Sequence, residues 1–101
     1  MNYKQAYQSF VYHGERIYSP GGVKNSYHEL MREWWAFIID NKLYRYLPDD
    51  PVKADEIVWQ LANWFPSEKN VEKIRQILKE LERGKKLEFL PYIVQRIIGG
   101  L

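Results

Sequence analysis

ADEIVWQLANWFPSEKNVEKIRQILKELER, residues 54–83, decides the fold. Ala54, Ile57, Val58, Leu61, Ala62, Trp64 and Phe65 recur at three- and four-residue steps, the apolar stripe of a helix. Val71, Ile74, Ile77, Leu78 and Leu81 mark a second helix in the same way. Pro66 separates the two, and Ser67 is placed to cap the second. Upstream, Asp50 followed by Pro51 supplies a start: the carboxylate accepts an orphan amide, and proline lacks the N–H that would be orphaned at the first position. Asp55 and Glu56 near the first turn suit the helix dipole, as do Lys79 and Arg83 toward the far end. Gly84 fits the left-handed residue that closes a helix. These cues predict a helical hairpin.

Working outward, a third helix is expected from Ser26 to about Ile39, with Ser26 and Glu29 at capping-box spacing. Tyr27, Leu30, Met31, Trp34, Trp35, Ile38 and Ile39 give it a wide apolar face. The unbroken run WWAFII at 34–39 also suits a strand, and with KLYRYL after Asp40 and Asn41 it offers a β-hairpin across 34–47 as the alternative. The capping box precedes the ambiguous run and favours the helix.

Phe10, Val11, Tyr12 and Arg16, Ile17, Tyr18 are short β-prone runs flanking His13, Gly14 and Glu15. They predict an N-terminal β-hairpin, with residues 3–9 as a preceding helical turn. Ser19–Gly22 reads as a loop, and Pro91 to Ile98 as a short closing helix. The expected architecture is therefore mainly α with a minor β part. It is a compact bundle of three to four helices with a short N-terminal β-hairpin, in one domain over 1–101: hairpin and loop in 1–25, helical core in 26–101.

Composition fits that size. Hydrophobic residues make up 46% and charged residues 28%, which is globular rather than disordered. Cysteine is absent, so disulfides and thiolate chemistry are excluded. No apolar run approaches the roughly 18 residues of a membrane span, and no signal-peptide pattern opens the chain. A cytoplasmic protein is the expectation. The apolar C-terminal stretch FLPYIVQRIIGGL invites a membrane surface or a partner groove, though docking on the chain's own core is simpler.

Aromatic content is the unusual quantity. Phe, Trp and Tyr reach 16%, and eleven of the sixteen fall in the first 46 positions. Trp34, Phe37, Trp64 and Phe65 read as core. The tyrosines at 3, 7, 12, 18, 44 and 46 are hard to bury together, and Trp59 sits off its helix's main stripe. Tyr12, Tyr18, Tyr44, Tyr46 and Trp59 are therefore the expected contact residues for a protein partner or a second copy of the chain.

Nucleic acid is the alternative partner. The two helices of 53–83 resemble a helix-turn-helix unit, with Lys69, Asn70 and Lys73 on the would-be recognition face and Arg83, Lys85 and Lys86 as a basic cluster. Charge tempers this: the first 50 residues are net zero, the remainder +2, and Glu68, Glu72, Glu80 and Glu82 interleave with the cations.

Catalysis finds no motif. His13 and His28 are fifteen positions apart and nothing in the spacing asks them to meet. Asp49, Asp50, Asp55 and Glu56 lack the alternation and glycine of a calcium loop. Pro20-Gly21-Gly22 is too short and unframed to cradle phosphate. No metal, cofactor or small-molecule substrate is expected. The hairpin is generic and identifies no family; small phage- and plasmid-borne proteins share this general style. The sequence points to a small non-enzymatic interaction or regulatory module.

Overall fold

Helix α1, Tyr3–Glu15, occupies the segment expected to be a β-hairpin. A computed structural model describes residues 1–65, 69–84, 88 and 90–98, and among them are five α-helices and no strand. Both the β-hairpin and the count of three to four helices are thus corrected. The reason is local: Asn2 and Gln5 form a capping box, each side chain accepting the other's backbone N–H at 2.9 Å. Ala6, Phe10 and His13 then follow at helical spacing and turn inward. The β-prone triplets were outweighed by a helix start seven residues upstream.

Gly14 lies inside the last turn of α1, where its expected role was a hairpin turn. A Cβ there would approach Arg32 Nε at 3.3 Å, and Arg32 is an exposed, flexible side chain. Gly14→Ala is expected to stabilise the fold by about 0.5–1 kcal/mol through helix propensity. Urea unfolding checks this; destabilisation would mean that Arg32 is held in place.

Glycine is required at the next turn. Gly21 (φ +91°) and Gly22 (φ +80°) reverse the chain, while the Ser19 amide and hydroxyl donate to the Val23 carbonyl at 2.8 and 3.0 Å. An isolated antiparallel bridge joins Tyr18 to Lys24.

Helix α2, Ser26–Asp40, starts at the expected residue, but its cap lies one position earlier. Asn25 is the N-cap, accepting from the amides of Tyr27 and His28, so the Ser26–Glu29 capping box gives way. The helical reading of WWAFII holds. Lys42, at φ +55°, turns the chain into a 3₁₀ turn, Leu43–Tyr46, in place of a second strand. Helix α3, Pro51–Trp64, starts as expected, with Asp50 Oδ1 accepting from Val52 N at 2.9 Å. Helix α4, Val71–Glu82, is capped by Asn70; the expected cap Ser67 and the divider Pro66 lie outside the described residues. Gly84 has the expected positive φ, +104°. Helix α5, Leu90–Ile98, closes the chain.

α2 is the hub. Its Met31, Trp34, Trp35 and Ile38 are fully buried between α1, α3 and the 3₁₀ turn. Ala54, Val58, Leu61 and Ala62 enter from α3, and Ile74, Ile77 and Leu78 from α4. α4 packs chiefly on α5 and the 3₁₀ turn, and Leu90, Ile93 and Val94 of α5 are buried, so the described part of the apolar tail docks on the core. Arg96 pairs with Glu80 across that contact. Trp64 corrects a core expectation: it is 39% exposed, because the buried row 54–58–61–65 continues through Phe65 instead. The radius of gyration, 13.6 Å, is that of a single compact unit. No helix among the described residues is long and apolar enough to cross a membrane.

Candidate functional site at the junction of α1, α2 and α3

Folding brings together the two histidines that the sequence kept apart. His13, in the last turn of α1, is 1% exposed, the sole polar residue among the fully enclosed side chains described. Its Nε2 lies 2.6 Å from Asp55 Oδ1 on α3, and its Nδ1 lies 2.8 Å from His28 Nδ1 on α2. Trp35 Nε1–H donates to the same Asp55 oxygen at 3.2 Å, and the Tyr27 hydroxyl to Oδ2 at 3.3 Å. One carboxylate thus gathers a histidine, a tryptophan and a tyrosine from two other helices.

This pattern fixes the protons. An ionised Asp55 can only accept, so neutral His13 carries its hydrogen on Nε2 and offers a lone pair at Nδ1. His28 must then donate from Nδ1, which leaves the lone pair of its own Nε2 with no hydrogen-bond partner among the described residues. The order is carboxylate, buried imidazole, outer imidazole.

Electrostatics agree with the geometry. Burial alone would raise the Asp55 pKa, but hydrogen bonds and charge from His13, with Trp35 and Tyr27 adding theirs, bring it below the usual carboxylate range. His28 is pushed down by burial first, then by the positive charges of His13 and Arg16. Burial and the Asp55 carboxylate raise the Tyr27 phenol.

Aromatic rings surround the chain. Tyr12 meets His28 edge-on at 6.1 Å, His28 meets Tyr27 at 4.9 Å, and Tyr27 meets Trp59 at 4.8 Å. The Arg16 guanidinium caps the outer end, 4.4 Å from the Tyr12 ring centre. Beside this ladder a cavity of about 530 Å³ opens between α1 and the start of α3, lined among others by Gln5, Gln8, Tyr12, His13, Asp49 and Asp55.

Of the expected contact residues, Tyr12 and Trp59 belong to this one ladder, joined through His28 and Tyr27. Tyr18 is exposed just before the 19–22 turn and lines a separate groove of about 720 Å³ with Phe10 and Glu33. Tyr44 and Tyr46 are half-buried against the core; Tyr44 contacts Tyr3 at 6.2 Å, and Lys79 sits 5.7 Å from the Tyr46 ring. Tyr3, stacked on Tyr7 at 6.0 Å, belongs to a second exposed aromatic row on α1.

The nucleic-acid candidates are dispersed in role. Lys69 lies 5.2 Å from the ring of buried Trp34, Asn70 caps α4 by accepting from Lys73 N at 3.2 Å, and Arg83 is exposed at the C-terminal cap. Lys85 and Lys86 lie outside the described residues. Among the described residues no cluster of His, Cys, Asp or Glu has the arrangement of a metal site.

Sequence reasoning missed His28, Tyr27, Trp35 and Asp55 as one constellation. One signal was present: His13 falls seven residues after Ala6, on the inward face of a helix. Reading that segment as strands concealed it.

No family model, curated protein or solved structure matches the chain.

Proposed function

We propose that this chain is a protein-binding module whose contact face is the Tyr12–Tyr27–Trp59 ladder and the cavity beside it. The observation that carries the reading is the convergence of these side chains from three helices onto one face. Tyr12 remains 49% exposed and Tyr27 37% exposed there. Tyrosine and tryptophan supply large contact area at low rotamer cost, and their polar tips tolerate water before the partner arrives. The acceptors exposed at the cavity's rim, Gln8 and the Asp49 carboxylate that pairs with Met1 through one oxygen, match a partner segment rich in lysine, arginine or amide side chains. The reading assigns no catalysis to the histidines.

The test is affinity capture with the tagged chain, with and without nuclease, followed by the same capture with Tyr12→Ala/Trp59→Ala. A protein partner that survives nuclease and is lost with the double variant, at unchanged helical circular dichroism, is the expected result. A partner retained by the double variant overturns the assigned face. Recovery that vanishes with nuclease and weakens steeply with salt transfers the function to nucleic acid, with Lys73 and Arg83 next to mutate.

A further inference from the structure

We propose that Asp55, His13 and His28 form a proton-operated latch that holds α1 against α2 and α3 and opens in acid. The inference stands on the geometry of the junction and is independent of what the neighbouring face binds.

The contact between the rings holds one hydrogen. Two imidazole Nδ1 atoms 2.8 Å apart can share a single N–H, with one ring donating and the other accepting. In the neutral state His28 donates. A first proton is tolerated: taken up at His28 Nε2, it lets the bridging hydrogen pass to His13 Nδ1. The positive charge then sits on His13, whose Nε2–H faces Asp55 Oδ1 at 2.6 Å. Both hydrogen bonds survive, and the buried cation lies against a carboxylate. A second proton is not tolerated. Both Nδ1 atoms then carry hydrogen and both rings are cations, so the contact becomes a repulsion between α1 and α2.

The charged and titratable groups facing the rings reinforce that threshold. From α1 and its cap come Tyr12 and Arg16, the latter a cation that opposes charging of His28; α2 contributes Tyr27, and α3 contributes Asp55. Asp49 lines the cavity beside His13 but is engaged by the Met1 ammonium at 3.5 Å.

The sign follows from the depressed His28 value. The folded protein binds the second proton less readily than the unfolded chain does. Its contribution to stability is therefore complete above about pH 6.5, the ordinary histidine value, and is lost as pH falls through the folded one. Asp55, also depressed, adds a further loss lower down, in the carboxylate range.

The experiment is an NMR titration of the imidazole ¹⁵N resonances from pH 8 to 4.5, with amide hydrogen exchange of α1 and α4 along the same series. At pH 8 an unprotonated Nδ1 on His13 and an unprotonated Nε2 on His28 are expected. On acidification the pair should take up one proton, then a second at clearly lower pH. With that second step α1 amides should exchange at least tenfold faster relative to those of α4. In His28→Gln, whose side-chain amide can donate to His13 Nδ1 without gaining charge, the acid-triggered α1 exchange should disappear until carboxylates titrate. Two independent histidine titrations, the opposite tautomers, or an α1:α4 exchange ratio unchanged down to pH 5 each overturn the latch. So does a folded His28→Gln variant that retains the step. If His28→Gln does not fold, the tautomers, the coupled steps and the exchange ratio of the wild-type chain decide.

Discussion

Asp55→Ala is expected to lower stability at pH 7 by about 3 kcal/mol, which in a domain of this size moves the melting midpoint by roughly 15 °C. Three donors end on this side chain: His13 Nε2–H, Trp35 Nε1–H and the Tyr27 hydroxyl. His13 and Trp35 are enclosed by protein, so water cannot replace the lost acceptor without opening the junction. An abandoned buried donor costs about 1–3 kcal/mol, and two are abandoned at once; Tyr27 is exposed enough to find water. Asp55→Asn keeps an acceptor oxygen at nearly the same place and should lose less than half as much. Urea unfolding followed by circular dichroism separates the cases. An alanine variant within about 1 kcal/mol of wild type would mean that the carboxylate is a passive neighbour of His13.

Trp34→Ala should cost as much or more, about 3–5 kcal/mol, because it empties the centre of α2. Trp34 is fully buried, packed edge-on to Phe37 at 5.5 Å and covered by Lys69. Its indole Nε1–H, however, has no acceptor among the described residues. Trp34→Phe removes that orphaned donor along with part of the ring, so relief of an unmet hydrogen bond offsets some of the lost packing. The phenylalanine variant is therefore expected to lie within about 1.5 kcal/mol of wild type. Trp35→Phe is the control: it removes a donor that does have a partner, Asp55, and should be the more damaging of the two. Equal losses for the two phenylalanine variants would refute this distinction.

How far the chain could be read beforehand varied with the kind of signal. α3 declared itself through Asp50, Pro51 and a buried row at helical spacing, all local features. α4 was legible from its inward isoleucines and leucines, although its cap is Asn70. α1 was not legible. Its fully buried residues are the small Ala6 and the polar His13, with Phe10 only partly buried between them, so hydrophobic spacing was faint, while Phe10–Tyr12 and Arg16–Tyr18 spoke for strands. The Asn2–Gln5 box was the stronger evidence, because it satisfies orphan amides that a strand would not have. Losing α1 meant losing the site. Asp55 had a sufficient explanation as a favourable charge near a helix start, and two histidines fifteen residues apart meet only if one ends a helix and the other begins the next. The aromatic excess was read correctly as regional, but the residues chosen from it divide between several surfaces. Only Tyr12 and Trp59 share the junction's ladder, linked through His28 and Tyr27.

The span of the contacts at His13 carries a kinetic meaning. His28 lies fifteen residues away along the chain, Asp55 forty-two. The loops that join α1 to α2 (16–25) and α2 to α3 (41–50) are equally long, so closing either one loses a similar amount of chain entropy. Whichever helix docks on α2 first, His13 gains both its outer imidazole and its counter-charge only when all three helices are in place. Its passage from half-satisfied to fully satisfied therefore marks completion of the native core.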